Sequence, residues 1–477
     1  MHVFVFHRCW KIVAALALVG VFALVVFYTP NELESLKKAM KGRGEGLTLA
    51  EVASSFAPET AAVMNNLTGA VARLRVLTAH PSVISAMDKS TPGFAKVAWA
   101  SETLVINKWV TKSWDDFHRQ MRQNEPILAE IRALLQNPPL GPSYEVSDLF
   151  GRGGPPLLAK RSAAQWLLGA EIDALQRGAL DEALADLHAL IGLAHLNEEE
   201  TMLVSQMIRV AIAGLAMAGT WEALQAPGWD DARLAALQKR WEELTFLARF
   251  ERTLQTERAM GLVVFECART NREKLNMLLP QGIGGIDSTN ILAEAFNEDI
   301  YLPVWQKTWS RRDELLFLRA MEKVLEAIHK GNSSHSYAEV RPLLEQRDRK
   351  NLFSQFRFPL SDALVPNWRK ALPRAMREES FRQMTISALA IKRYQMRHGK
   401  TPEHLHELVP EFLLAVPCDY MTGKDLLYQR KTAETYLLYS VGENGLDENG
   451  RGDDVIWPLP EFPQRGPERV SELTEGK

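Results

Sequence analysis

The sequence predicts a mainly α-helical protein with an N-terminal transmembrane helix and a small C-terminal α+β module. Three observations carry this. An uncharged apolar run lies near the start, apolar residues then recur at three- and four-residue intervals over a long stretch, and the last hundred residues change to short strand-like runs broken by Gly, Pro and Asp. The chain has 477 residues, of which 46% are hydrophobic and 24% charged, with a formal net charge of −3. That balance predicts buried cores rather than disorder, and two or three domains. With 56 Lys and Arg against 59 Asp and Glu there is no basic surplus to neutralise phosphates, so no nucleic-acid partner is expected. Three cysteines, Cys9, Cys267 and Cys418, are too few for a disulfide framework. They allow at most one bridge, between Cys267 and Cys418.

Taken in order, Arg8 and Lys11 precede seventeen uncharged residues from Ile12 to Tyr28. At about 1.5 Å rise per residue this length just crosses a bilayer core. It ends in Val25-Val26-Phe27-Tyr28, not in the small residues of a cleavage site, which predicts an uncleaved anchor and a membrane partner. Lys37, Lys38, Lys41 and Arg43 follow the anchor, but they are set among Glu32, Glu34 and Glu45. The predicted orientation is therefore a cytoplasmic N-terminus with an exported body. The expected divisions are 1–29 tail and anchor, 30–59 juxtamembrane segment, 60–374 helical domain, 375–460 α+β module and 461–477 disordered tail.

From about 60 to 350 the pattern is helical. Leu157, Leu158, Ala164, Leu167, Leu168, Ile172 and Leu175 form one stripe, Gly178 interrupts, and Leu180, Ala183, Leu184, Leu187 and Leu190 resume it. This helical hairpin is tetratricopeptide-like, without clear repeats at a fixed period. Further helices are predicted at 199–225, at 230–267 behind an Asp230 cap and at 310–330. Gly282-Ile283-Gly284-Gly285 lacks the context of a phosphate loop and reads as a turn. Glu198-Glu199-Glu200 reads as a helix start, favoured by the helix dipole, although Glu199 and Glu200 facing inward would reopen a metal site. His188 and His195, two helical turns apart, are too distant to share one metal. The tryptophans, among them Trp166, Trp221, Trp229, Trp241, Trp305 and Trp309, read as core or interface anchors.

The C-terminal part carries a helix over about 378–398 with Phe381, Met384, Ala388, Ile391 and Tyr394 on one face, closed by His398-Gly399. Thr401 and Pro402 are expected to open a short helix. Then come Val416-Pro417-Cys418-Asp419, a turn ending at Gly423, strand-like runs at 425–428 and 436–439, and an acidic loop running into Val455-Ile456-Trp457. The order and spacing of Leu389 or Ile391 with Tyr394, Gly399 and Pro402, of Val416, Pro417, Asp419, Gly423, Leu426 and Tyr428, and of Tyr439, Ser440, Gly442, Gly445, Asp453 and Asp454 resemble the globular part of the type II secretion major pseudopilin. The resemblance spans roughly 375–458 and implies a calcium clamp in the closing loop. Asp447, Asp453 and Asp454 would supply carboxylates, and Ser440 and Val441 main-chain oxygens, to a cation that takes six to eight oxygens. Asn444 stands where the pattern has an aspartate, which removes one charge, and a solvated Asp/Asn/Gly turn is the alternative reading. The helical body between anchor and module departs from a pseudopilin, so polymerisation as a pilus subunit is not expected. The whole layout also resembles a family of single-anchor bacterial proteins with a helical body, which implies architecture and export but no activity.

The expected function is a membrane-anchored, exported binding or scaffolding protein of the bacterial cell envelope, with a protein partner on the helical domain. The alternatives are a cell-envelope hydrolase with its site among helical-domain carboxylates, and an assembly factor of a type II secretion-like system.

Overall fold

A computed structural model describes residues 32–75, 94–107, 110–145, 157–270, 301–345 and 357–461. The apolar run Ile12–Tyr28, Cys9, the Gly282–Gly285 turn and the tail beyond 461 lie outside the described residues. The chain is mostly helical, with small strands concentrated towards its C-terminal end. In order, the elements are α1 (32–42), α2 (Leu49–Val52), α3 (Pro58–Arg73), β1 (Phe94–Lys96), β2 (Leu104–Asn107), β3 (Val110–Lys112), α4 (Trp114–Leu135), α5 (Leu157–Arg177), α6 (Leu180–His195), α7 (Leu203–Gln225), α8 (Asp231–Glu243) and α9 (Phe250–Thr270). A π-type turn, Trp305–Trp309, leads into α10 (Ser310–Ser334), followed by α11 (Tyr337–Glu345), α12 (Pro359–Leu364), α13 (Pro366–His398) and a 3-10 turn, Leu405–Leu408. The closing strands are β4 (Cys418–Asp419), β5 (Lys424–Asp425), β6 (Leu427–Arg430), β7 (Tyr436–Ser440), β8 (Val455–Trp457) and β9 (Leu459–Glu461).

The chain divides into two compact units, one of residues 1–53, 254–326 and 343–370, the other of residues 54–253, 327–342 and 371–477. In the first, Phe265 stacks on Trp305 and meets Phe317, whose ring fills the space a side chain at Gly261 would need. Buried Arg258 pairs with Glu45 and donates to the Gly46 carbonyl at 3.0 Å, which ties the segment after α1 to α9. Asp313 receives the Leu360 and Ser361 amides at 3.1 and 3.0 Å, satisfying the N-terminal donors of α12, and the Trp305 indole at 3.2 Å.

In the second unit α5, α6 and α7 pack on one another and are buried on nearly every side, as helices apolar all round must be. The predicted hairpin is α5–α6, turned at Gly178 with φ +74°, where an L side chain would be strained. Asp230 caps α8 by accepting the Arg233 amide at 2.8 Å, but the expected helix 230–267 is two helices, broken at 244–249. The start expected at 401–402 is also displaced: the turn begins at His404, where Glu407 accepts the Glu403 and His404 amides. α7 is long and apolar enough to cross a membrane, yet 67% of its most apolar stretch is buried inside the protein, where it serves as a core helix. The sheet order β6-β7-β8 is antiparallel, with Leu427 opposite Tyr439 and Leu438 opposite Trp457. β1 pairs in parallel with β9, Phe94 opposite Leu459. β1 and the β2–β3 hairpin interrupt a region whose sequence reads as helical. Cys267 and Cys418 are both free thiols, so the one bridge the sequence allows is not formed.

Candidate functional site

The residues expected to clamp a cation fall into two groups. Ser440 and Val441, at the end of β7, are turned onto Asp419, a buried carboxylate from the Val416–Asp419 segment. Asp419 Oδ1 accepts the Ser440 hydroxyl at 2.6 Å, the Ser380 hydroxyl at 3.0 Å and the Met421 amide at 2.9 Å. Its Oδ2 accepts the Val441 amide at 3.2 Å. The Val441 carbonyl lies 3.0 Å from the Ser440 hydroxyl. One carboxylate thus joins α13, the turn after β4 and the end of β7.

Asp447, Asp453 and Asp454 lie in the loop between β7 and β8 and chiefly receive main-chain amides. Asp447 accepts from Asn449 at 2.9 Å and from the Tyr439 hydroxyl at 3.0 Å; Asp453 accepts from Asn444 at 2.9 Å. Asp454 Oδ2 accepts from Gly450 at 2.8 Å and Glu448 at 3.0 Å, while its Oδ1 is buried without a partner. Burial raises the Asp454 carboxyl above its usual range; the Gly450 and Glu448 amides oppose this, and the charge of Asp447 adds to it. Gly442 is required here, because a Cβ would stand 2.1 Å from the Asp453 carbonyl. Among the described residues no three His, Cys, Asp or Glu side chains are grouped to hold a metal ion.

Sequence reading missed how many ionisable groups the helical bundle encloses. Glu171 on α5 has both carboxyl oxygens buried without a partner, and burial, with the charges of Glu222 and Asp186, holds it well above its usual range. Burial pushes Glu222 on α7 up to about 8, against the pull of the Ala98 amide, and Asp186 on α6 up to about 7, against Arg132 at 2.8 Å. At the α6–α7 turn Glu200 faces inward, as does Glu198, whereas Glu199 is half-exposed. Glu198 is opposed by burial yet held below its usual range by His195, Arg209 and Arg249. Glu200 Oε1 accepts the Ser143 hydroxyl at 2.6 Å, and its Oε2 is buried and unpartnered. Lys160 donates to the Leu196 carbonyl at 2.9 Å and to Asn197 at 2.6 Å, and burial lowers its ammonium to about 7. A glutamate inside a helical sequence ordinarily reads as solvated, and only the unbroken apolar setting of Glu171 and Glu222 signals otherwise.

A separate concavity of about 130 Å³ opens between the end of α7, the α13 face from Ala388 to Gln395, the start of β7 and the β8–β9 segment. Leu224, Ile391, Tyr436 and Trp457 give it apolar walls, and Lys392 and Glu434 are its charged groups. Lys392 is half-buried and Glu434 exposed. No hydrogen bond or ion pair holds the Lys392 ammonium among the described residues. Burial lowers its affinity for a proton, and the charge of Glu434 works in the other direction. Compared with protein families, with curated proteins and with solved structures, the chain has no match.

Proposed function

We propose that this protein is a binding or scaffolding component of the bacterial cell envelope, anchored by residues 12–28 with its N-terminus in the cytoplasm and its body exported. The anchor and its direction rest on the uncharged run behind Arg8 and Lys11. One observation supports binding over catalysis. The acids and the lysine with the largest shifts, Glu171, Asp186, Glu222 and Lys160, are closed inside helix packing, whereas the described concavity has apolar walls with Lys392 and Glu434 as its charged groups. Catalytic acids and bases must reach substrate, and an apolar hollow with a few polar groups is the form of a recognition site. The loop at 440–454 is a candidate calcium site of the same protein, supported by the orphaned Asp454 oxygen beside Asp447.

Two measurements test this. An alkaline phosphatase fused after Lys477 is active if the body is exported, and an inactive fusion reverses the topology. A photoreactive side chain in place of Gln395, at the concavity, yields a discrete adduct in native membranes. A hydrolytic activity that is lost in Glu171→Gln or Glu200→Gln with the fold intact would overturn the binding reading.

A further inference from the structure

Lys392 and Glu434 carry opposite charges on the same small apolar hollow, yet no ion pair joins them. Lys392 is the more buried of the two, half-buried on α13, and Glu434 is exposed in the turn before β7. A half-buried ammonium without an acceptor is unfavourable, because burial removes water and nothing described replaces it. An anion placed against Lys392 relieves that cost, and a cation at the mouth answers Glu434. Beside the two charges, Leu224, Ile391, Tyr436 and Trp457 wall the same hollow and leave room for a compact apolar group. A dry cavity of about 150 Å³ takes one benzene ring, so about 130 Å³ suits a branched aliphatic side chain.

We propose that this hollow binds a free branched-chain α-amino acid, its carboxylate on Lys392, its ammonium on Glu434 and its aliphatic side chain against Ile391 and Trp457. A zwitterion with an apolar body is the ligand class that satisfies both charges and the walls together. A simple fatty acid would leave its carboxylate facing Glu434 uncompensated, and an amine would leave Lys392 without an acceptor. A residue within a peptide chain lacks both free groups. The inference rests on the reading that the protein binds rather than catalyses.

The test is calorimetric titration of the full chain in detergent with L-leucine, N-acetyl-L-leucine and L-leucinamide. Leucine binds, and each analogue, lacking one charge, binds about tenfold more weakly or worse, the scale of a lost charge-assisted contact. Lys392→Met weakens leucine by about tenfold or more, while Glu434→Gln weakens leucine and leucinamide and leaves N-acetyl-leucine unchanged. The analogue series uses the unaltered protein, so it decides the matter even if a variant folds poorly. No heat with leucine at millimolar concentration, or leucinamide binding as tightly as leucine, overturns the inference and leaves the binding reading standing. Leucine that binds but is recovered chemically altered supports the pocket and overturns the non-enzymatic reading instead.

Discussion

The Ser440 hydroxyl donates to Asp419 Oδ1 at 2.6 Å, and through that contact the end of β7 is fixed to the same carboxylate that holds Ser380 of α13. Both hydroxyls and the acid are buried. Removing the acceptor leaves several buried donors without a partner, which costs more than the bonds themselves are worth.

Asp419→Ala is therefore expected to destabilise the protein by about 3–5 kcal/mol, and Ser440→Ala by about 1–3 kcal/mol. Urea denaturation followed by tryptophan fluorescence measures both. Equal, small effects of the two variants would show that Asp419 is not the hub of this contact.

A pH dependence follows from the enclosed acids. Glu222 titrates at about 8 and Asp186 at about 7 in the fold, against about 4 in an unfolded chain. Between those limits the folded state holds protons that the unfolded state has lost, so stability falls as pH rises from about 5 to 7. Glu171 acts in the same direction. Lys160 has the opposite sign, but only above its folded value of about 7, and Glu198, held low, has made its contribution by about pH 5. Glu222→Gln, neutral throughout, flattens the decline. Denaturation midpoints at pH 5, 6 and 7 check this, and a flat profile in the unaltered protein would contradict it.

Gly192 of α6 lies where a Cβ would stand 2.1 Å from the Leu135 carbonyl of α4. Backbone cannot yield as a side chain end can. Gly192→Ala is expected to cost about 1–3 kcal/mol or more by forcing the two helices apart. Gly69→Ala on exposed α3 surface, with nothing within 4 Å, serves as the control and should be neutral or slightly stabilising.

If the 440–454 loop holds calcium, millimolar calcium raises the melting temperature of the protein. With an affinity typical of extracellular modules the gain is about 1–3 kcal/mol. Asp454→Asn and Asp447→Asn abolish the gain, whereas Asp425→Asn, outside the loop, leaves it. The absence of any shift with calcium would assign the loop to the solvated-turn alternative.

What could be read from the residues depended on how local the signal was. The α5–α6 hairpin, the Asp230 cap and the strands around Leu427–Arg430 and Tyr436–Ser440 follow from periodicity and turn chemistry within a few residues. β1 was illegible because three residues, Phe94–Lys96, acquire strand character only from Leu459–Glu461 at the other end of the chain. Ser440 and Val441 enter the sequence reading through the resemblance, which puts their main-chain oxygens near a cation. Their hydroxyl and amide contacts are to Asp419, more than twenty positions away, and carry no local signal. The enclosure of Glu171 and Glu222 depends on α5, α6 and α7 packing together, and no single helix announces it. The placing of Lys392 and Glu434 on one hollow likewise brings a helix together with a turn some forty residues on.

The β1–β9 pairing has a consequence in time. Phe94–Lys96 leaves the ribosome long before Leu459–Glu461, so the nascent chain holds an unmated strand edge until its partner strand follows. Non-local closure of this kind is slow and leaves apolar surface uncovered meanwhile. Completion of this unit consequently waits for β9, and removing Leu459–Glu461 leaves β1 without its partner.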